Sequence, residues 1–179
     1  MAAELTLILI GMRGSGKTTL GRAIALETAR DFVDLDELTP RMLSRASVAE
    51  AWEKDGEEAF RRGETLALAK ALATPGAVLS LGGGTPTAPG AKEMLIEQQR
   101  AARAIVVYLR ASAETLRKRL SGADNTGRPS LTGSGVLDEV EGILARRDPL
   151  YLALADEVVE VDGLSQSEAL VMLRTAIGQ

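Results

Sequence analysis

The sequence predicts a three-layer α/β/α fold, a parallel sheet sandwiched between helices, and three observations predict it. Short apolar runs such as Leu5 to Ile10 alternate along the chain with segments of helical periodicity. The run Leu5 to Ile10 is mostly apolar instead of alternating, the pattern of a strand buried on both faces. The 179 residues show no internal repeat and suit one domain, 1–179, with a core of ordinary size.

The elements follow in order. Leu5 to Ile10 reads as a first strand ending at a glycine, and Leu20, Ala23, Ile24 and Glu27 give helical spacing to 17–29. "DFVDLD" (31–36) reads as a second strand. Helical text follows Pro40, with "SVAE" (47–50) as a capping box ahead of Ala51 and Trp52, and a longer helix over 57–72. "AVLSL" (77–81) is a third strand, broken by Gly82, Gly83 and Gly84. A helix over 91–100 leads into the strand "AIVVYL" (104–109), and another helix covers 113–120. The polar, glycine-containing stretch 121–135 resists periodic assignment, as functional loops often do. Two helices over 137–146 and 150–155, a strand "EVVEV" (157–161) and a helix after the "SQSE" capping box (165–168) complete the pattern.

Composition narrows the chemistry. With 45% apolar and 26% charged residues the chain is an ordinary globular one, and 3% aromatics require an aliphatic core. A net charge of −4 argues against a nucleic-acid surface. There is no cysteine and no histidine, which removes disulfides, thiolate nucleophiles, the usual zinc sites and imidazole bases. Acid–base chemistry falls to carboxylates or lysine. The longest apolar run is too short to cross a bilayer and no basic segment precedes it, so a cytoplasmic protein without a membrane partner is expected.

"GMRGSGKT" (11–18) fits G-x-x-x-x-G-K-[ST] at every fixed position, between a strand and a helix. Glycines let the backbone curl so that N–H groups point at a phosphate, with the positive end of the helix dipole behind them. Lys17 can reach the β and γ oxygens and the Thr18 hydroxyl can ligate Mg²⁺. The plainer alternative is a glycine-rich turn with a solvated lysine. No N-K-x-D element of a switch GTPase is present, and so compact a chain favours transfer to a small acceptor.

Acceptor residues are sought at the carboxyl ends of the other strands, where such sheets bind ligands. Asp34 and Asp36, two apart on one strand, would share a side; one can hold magnesium through water while the other accepts from an acceptor hydroxyl. Helix-capping aspartates are the competing reading. Of Arg61 and Arg62, about 100° apart on a helix, only one can reach inward, where an arginine fork would grip a carboxylate; taken alone, the pair reads as a solvated face. Gly82, Gly83 and Gly84 leave bare backbone N–H groups for a ligand, or form a flexible turn. Arg128 sits in the polar loop, able to bring a cation to a transferring phosphoryl group on closure. "RRDPLY" (146–151) adds a further arginine pair, followed by Tyr151.

Taken together, G-x-x-x-x-G-K-T, D-L-D, G-E-x-x-F-R-x-x-E, G-G-G, R-P and R-x-P-L-Y, in this order over nearly the whole chain, resemble the shikimate kinase family. The resemblance implies a P-loop kinase of the nucleoside monophosphate kinase type. Its sheet has five parallel strands, its substrate-binding helices fall at about 37–64, and a mobile lid falls at about 121–135. The implied activity is transfer of the ATP γ-phosphate to the 3-hydroxyl of shikimate, with Mg²⁺ as cofactor, in chorismate biosynthesis.

Matched by position, Gly14, Ser15, Gly16, Lys17, Thr18 and Thr19 hold ATP, Arg119 contacts adenine and Arg128 reaches the phosphates from the lid. Thr18 and Asp34 serve the metal. Asp36 binds the acceptor hydroxyls and is the base. Arg61 and Arg147 grip the carboxylate, Gly82, Gly83 and Gly84 lie at the acceptor, and Phe60 with Trp52 supplies an apolar wall. Trp52 stands where the family usually has phenylalanine, the lid is slightly longer than is common, and Ser130 replaces a leucine frequent after R-P. Shikimate and ATP are the expected partners, and the protein is expected to be a monomer. A gluconate kinase-like enzyme of the same fold is the alternative, and a non-catalytic ligand sensor the more distant one.

Overall fold

The computed structural model describes residues 5–122, 135 and 137–178. The expected lid, with Arg128 and Ser130, falls outside them apart from its ends. Five parallel strands, β1 (Thr6–Ile10), β2 (Phe32–Asp34), β3 (Val78–Ser80), β4 (Ala104–Arg110) and β5 (Glu157–Glu160), form one sheet in the order β2-β3-β1-β4-β5. Leu7, Ile8, Leu9 and Ile10 of the central strand are wholly buried, as are Val106 to Leu109 of its neighbour, which is why these runs are apolar on both faces. Helices α1 (Lys17–Glu27), α2 (Leu35–Met42), α3 (Val48–Leu72), α4 (Ala91–Arg100), α5 (Ala113–Ser121), α6 (Val140–Leu154) and α7 (Gln166–Ala176) connect and cover the strands. Among the described residues no helix is long and apolar enough to cross a membrane.

The topology places the crevice. The chain leaves β1 toward the β2 edge and leaves the neighbouring strands β3 and β4 toward the β5 edge, so the loops after them part at the carboxyl end of β1.

Four expectations need correction. The second strand ends at Asp34, whose side chain accepts from the Asp36 N–H at 2.9 Å, so Asp34 caps α2 and Asp36 lies in its first turn. The two carboxylates therefore do not share a strand face; a helix starts between them, and of the two Asp36 lines the crevice. Pro40 lies inside α2, not ahead of it. The capping box at 47–50 is half formed: Ser47 accepts from the Glu50 N–H, while Glu50 accepts from Ala46. Helix α6 runs through Pro149 as one element where two were expected; proline costs the helix an N–H, and side-chain contacts of Asp148 and Tyr151 to other elements hold the turns on either side. The capping box at Ser165 and Glu168 forms as read.

Candidate active site

The phosphate loop owes its shape to glycine. Gly14 and Gly16 have φ of 83° and 101°, and a Cβ on Gly11 would stand 2.6 Å from the Leu109 carbonyl oxygen. Gly16 caps α1 without a side-chain hydrogen bond, and no acidic residue occupies the first turn of the helix. The orphan N–H groups therefore face the crevice with the positive end of the dipole. Lys17 Nζ donates to the Gly11 and Met12 carbonyls at 2.9 Å each, lying back over the loop. Thr18 Oγ1 donates to Asp34 Oδ2 at 2.6 Å, joining the helix start to the end of β2.

All six expected ATP residues from Gly14 to Thr19 line one cavity of about 440 Å³ with Asp36, Gly83 and Arg119. Arg119 donates to the Gly14 and Ser15 carbonyls at 3.3 Å and to the Val161 carbonyl at 3.0 Å, tying the loop to the end of β5. Beyond it Val161, Leu164 and Ala169 give the cavity an apolar end.

The second recess opens on the other side of Asp36. Trp52, Phe60, Arg61, Gly83, Gly84 and Arg147 line it together. Arg61 is the inward arginine, with 13% of its side chain exposed against 60% for Arg62, which pairs outward with Glu58. The Arg61 guanidinium lies 5.2 Å from the Trp52 ring centre and donates to Glu64 Oε2 at 2.7 Å. Trp52 meets Phe60 edge-on at 5.5 Å. Arg13, Asp36 and Gly83 line both cavities, which makes them the boundary between the two halves.

The glycine triplet also makes room for side chains. A Cβ on Gly84 would stand 2.0 Å from Arg61 Nη1, and one on Gly82 would stand 2.7 Å from Asp36 Oδ1 and 3.0 Å from Glu64 Oε1. Gly82 lies behind those groups and lines neither cavity, while Gly83 lies 3.3 Å, by the same measure, from the Arg13 nitrogen.

Three residues to which the sequence reading gives no role emerge here. Glu64 is 3% exposed, accepts from Arg61 and from Thr85 Oγ1 at 2.8 Å, and thereby fixes the arginine. Burial pushes its carboxyl above the usual range, with Arg61 and Thr85 opposing. Arg13 occupies a variable position of the loop motif. Tyr151 is fully buried, and its hydroxyl donates to the Gly83 carbonyl. For Glu64 the signal was its place three residues after Arg61, on the same helix face.

A family model described as shikimate kinase matches residues 13–177. The chain belongs to the shikimate kinase family. Shikimate kinase 2 of Yersinia pestis (strain Pestoides F) is 38% identical over 156 residues, 87% of this chain and 86% of that one. The shikimate kinase of Bordetella avium (strain 197N) is 38% identical over 162 residues, 90% of this chain and 73% of that one. Among solved structures, the shikimate kinase of Acinetobacter baumannii in complex with shikimate superposes with a TM-score of 0.85 at 30% identity, covering 97% and 93% of the two chains. The shikimate kinase of Bacteroides thetaiotaomicron gives 0.83 at 27%, covering 98% and 99%. A deoxyadenosine kinase from M. mycoides, 17% identical with a TM-score of 0.60, shares the fold alone. The five-stranded P-loop kinase architecture implied by the motifs is thus that of this shikimate kinase family member.

Proposed function

We infer that the protein transfers the γ-phosphate of ATP to the 3-hydroxyl of shikimate, giving shikimate 3-phosphate and ADP. The observation that carries this reading is a recess lined together by Arg61, Arg147, Asp36 and Gly83, next to a phosphate-binding loop. A small hydroxylated carboxylate suits it: arginine forks for the carboxylate, an aspartate for the reacting hydroxyl, and Trp52 and Phe60 for the ring. Gluconate is also a hydroxylated carboxylate, but it has no ring to lie against that wall.

In the proposed mechanism the α1 N–H groups and Lys17 hold the β and γ phosphates, and Lys17 leaves the Gly11 and Met12 carbonyls to do so. Asp36 accepts a hydrogen bond from the 3-hydroxyl and takes its proton as the oxygen bonds to the γ-phosphorus and the bond to the β-bridging oxygen breaks. A loose transition state asks for alignment and cations more than a strong base, so a carboxylate suffices where histidine is absent. Arg119 borders the adenine end, and the Arg128 of the lid loop adds a cation at the transferred group.

Thr18 Oγ1 and Oδ2 of buried Asp34, 2.6 Å apart, offer the hard oxygen donors that magnesium takes, the hydroxyl directly and the carboxylate through water, with phosphate and water for the rest. They fit the ion, which when bound would neutralise charge on the β and γ phosphates. The protein acts in the cytoplasm as a monomer.

ADP release with shikimate, quinate and gluconate tests the reading, with Asp36→Asn as the control. Shikimate alone should stimulate wild-type turnover strongly, and the Asp36→Asn substitution should depress it. Preference for gluconate would sink the substrate assignment.

A further inference from the structure

Arg147 lies in a turn of α6 that its own helix holds poorly. Pro149 has no N–H to return to the Ala145 carbonyl, and its ring crowds that oxygen, so the turn carrying Arg146 and Arg147 lacks a rung. Two tertiary contacts flank it instead. On one side Asp148 accepts from Arg110 Nε and Nη2 at 2.9 Å each and from the Tyr108 hydroxyl at 2.8 Å. On the other, Tyr151 stands one turn after Arg147, on the same face of the helix, with no exposed surface. Its hydroxyl donates to the Gly83 carbonyl, and its ring packs 5.1 Å from Tyr108. Arg147 Nη1 lies 3.8 Å from where a Cβ on Gly83 would stand.

We propose that Tyr151 is a positioning residue for acceptor capture: its hydroxyl bridges the α6 turn that carries Arg147 to Gly83 and so aims that guanidinium at the acceptor carboxylate. The Asp148–Arg110–Tyr108 cluster braces the same turn from behind. A phenol is suited to this, because its rigid ring packs in the core while its one proton goes to the carbonyl. Burial keeps it neutral, with a pKa pushed up to about 12. The inference rests on the shikimate reading of the recess.

Tyr151→Phe keeps the ring and removes the bridge. Steady-state kinetics with shikimate should show KM for shikimate raised about fivefold, with kcat and KM for ATP within about twofold of wild type, the order of one buried hydrogen bond. Shikimate methyl ester separates positioning from packing. Without the carboxylate there is nothing for Arg147 to grip, so wild type and variant should then have equal kcat/KM. An unchanged KM for shikimate, or equal losses on acid and ester, would overturn the positioning role. Should Tyr151→Phe lower the melting temperature enough to spoil the assay, Asp148→Asn retains both tyrosines and loosens the brace. It should raise KM for the acid about threefold and leave the ester unaffected; equal losses again overturn the idea. Absence of wild-type turnover with shikimate would overturn the functional reading and this inference with it, whereas wild-type turnover together with an insensitive Tyr151→Phe variant overturns this inference alone.

Discussion

The donor half of the crevice takes its groups from one unbroken stretch, residues 11–19, and presents them largely as backbone N–H groups held by glycine φ angles. The acceptor half gathers side chains from α2, α3, the turn after β3 and α6, and holds them through side-chain contacts: Arg61 by Glu64, Glu64 by Thr85, and the α6 turn of Arg147 by Asp148 and Tyr151. Local backbone geometry is indifferent to neighbouring side chains, so one half should survive damage to the other. A side-chain lattice transmits damage from member to member. The two halves touch at Arg13, Asp36 and Gly83, and substitutions on either side of that boundary can test their independence.

The largest effect is expected from Lys17→Ala. It removes the ammonium that would follow charge onto the transferring group, and turnover should fall by about 10²–10³-fold or more. Acceptor binding should persist. Trp52 is the single tryptophan of the chain and lines the acceptor recess, so its fluorescence reports that binding directly. Loss of the shikimate-induced change in the Lys17→Ala variant would show that the halves are one unit.

Gly84→Ala strikes the acceptor half alone. Its φ of −95° is open to any residue, so the backbone accepts alanine, but the new Cβ would stand 2.0 Å from Arg61 Nη1. The guanidinium must move, losing Glu64 and its place over Trp52. KM for shikimate should rise about 10–100-fold, as expected for charge-assisted hydrogen bonds, while nucleotide affinity stays constant. A rise in KM for ATP of the same size would contradict the separation.

The same contrast governs what the sequence disclosed. A contiguous motif between strand and helix is legible because backbone geometry is written in adjacent glycines, and residues 14–19 all line the cavity expected for them. The sheet was legible for a related reason: doubly buried strands must be apolar throughout. One boundary failed at Asp34, where the competing capping reading holds and a local bond to the Asp36 N–H turns "DLD" from strand to helix start; another failed where tertiary contacts decide it, in α6, where Asp148 and Tyr151 hold a helix across Pro149. At the acceptor, the inward choice of Arg61 over Arg62 came from the family pattern, and Glu64 and Tyr151 acquired roles only when their partners, distant in sequence, came within reach. Six glycine positions of similar appearance in sequence serve different ends: those of the loop for φ, with Gly11 needed for space as well, and those of the triplet for space.

Gly56→Ala measures the first of those ends without the second. Gly56 breaks α3 with φ 77° and ψ 168°, a region nearly reserved to glycine, and a Cβ there meets nothing within 4 Å. The cost is therefore backbone strain alone, about 1–3 kcal/mol in chemical denaturation. The break lets residues 48–55, which carry Trp52, leave the axis of the segment that carries Phe60 and Arg61. Shikimate affinity should weaken only modestly beside Gly84→Ala; an equal or larger loss would make the break, not the arginine, the chief determinant of the recess.

The smallest expected effect concerns the charge state of the acceptor lattice. Burial raises the Glu64 pKa above its ordinary 4.5, so between the unfolded and folded values the native protein binds more protons than the unfolded chain. The contribution of that carboxyl is then fully present below about pH 4.5 and lost as pH rises through the raised folded value. The slope is at most about 1.4 kcal/mol per pH unit for one proton. A glutamine at this position cannot titrate and should lack this component: the stability of wild type minus that of Glu64→Gln, measured by urea unfolding across this range, should decline as pH rises. A difference that grows with pH would mean that the Arg61 ion pair outweighs desolvation and that Glu64 is held as an anion. In that case the acceptor arginine would be fixed by charge where the donor lysine, bonded to two carbonyls, is fixed by neutral oxygens, and raising salt should loosen the first more than the second.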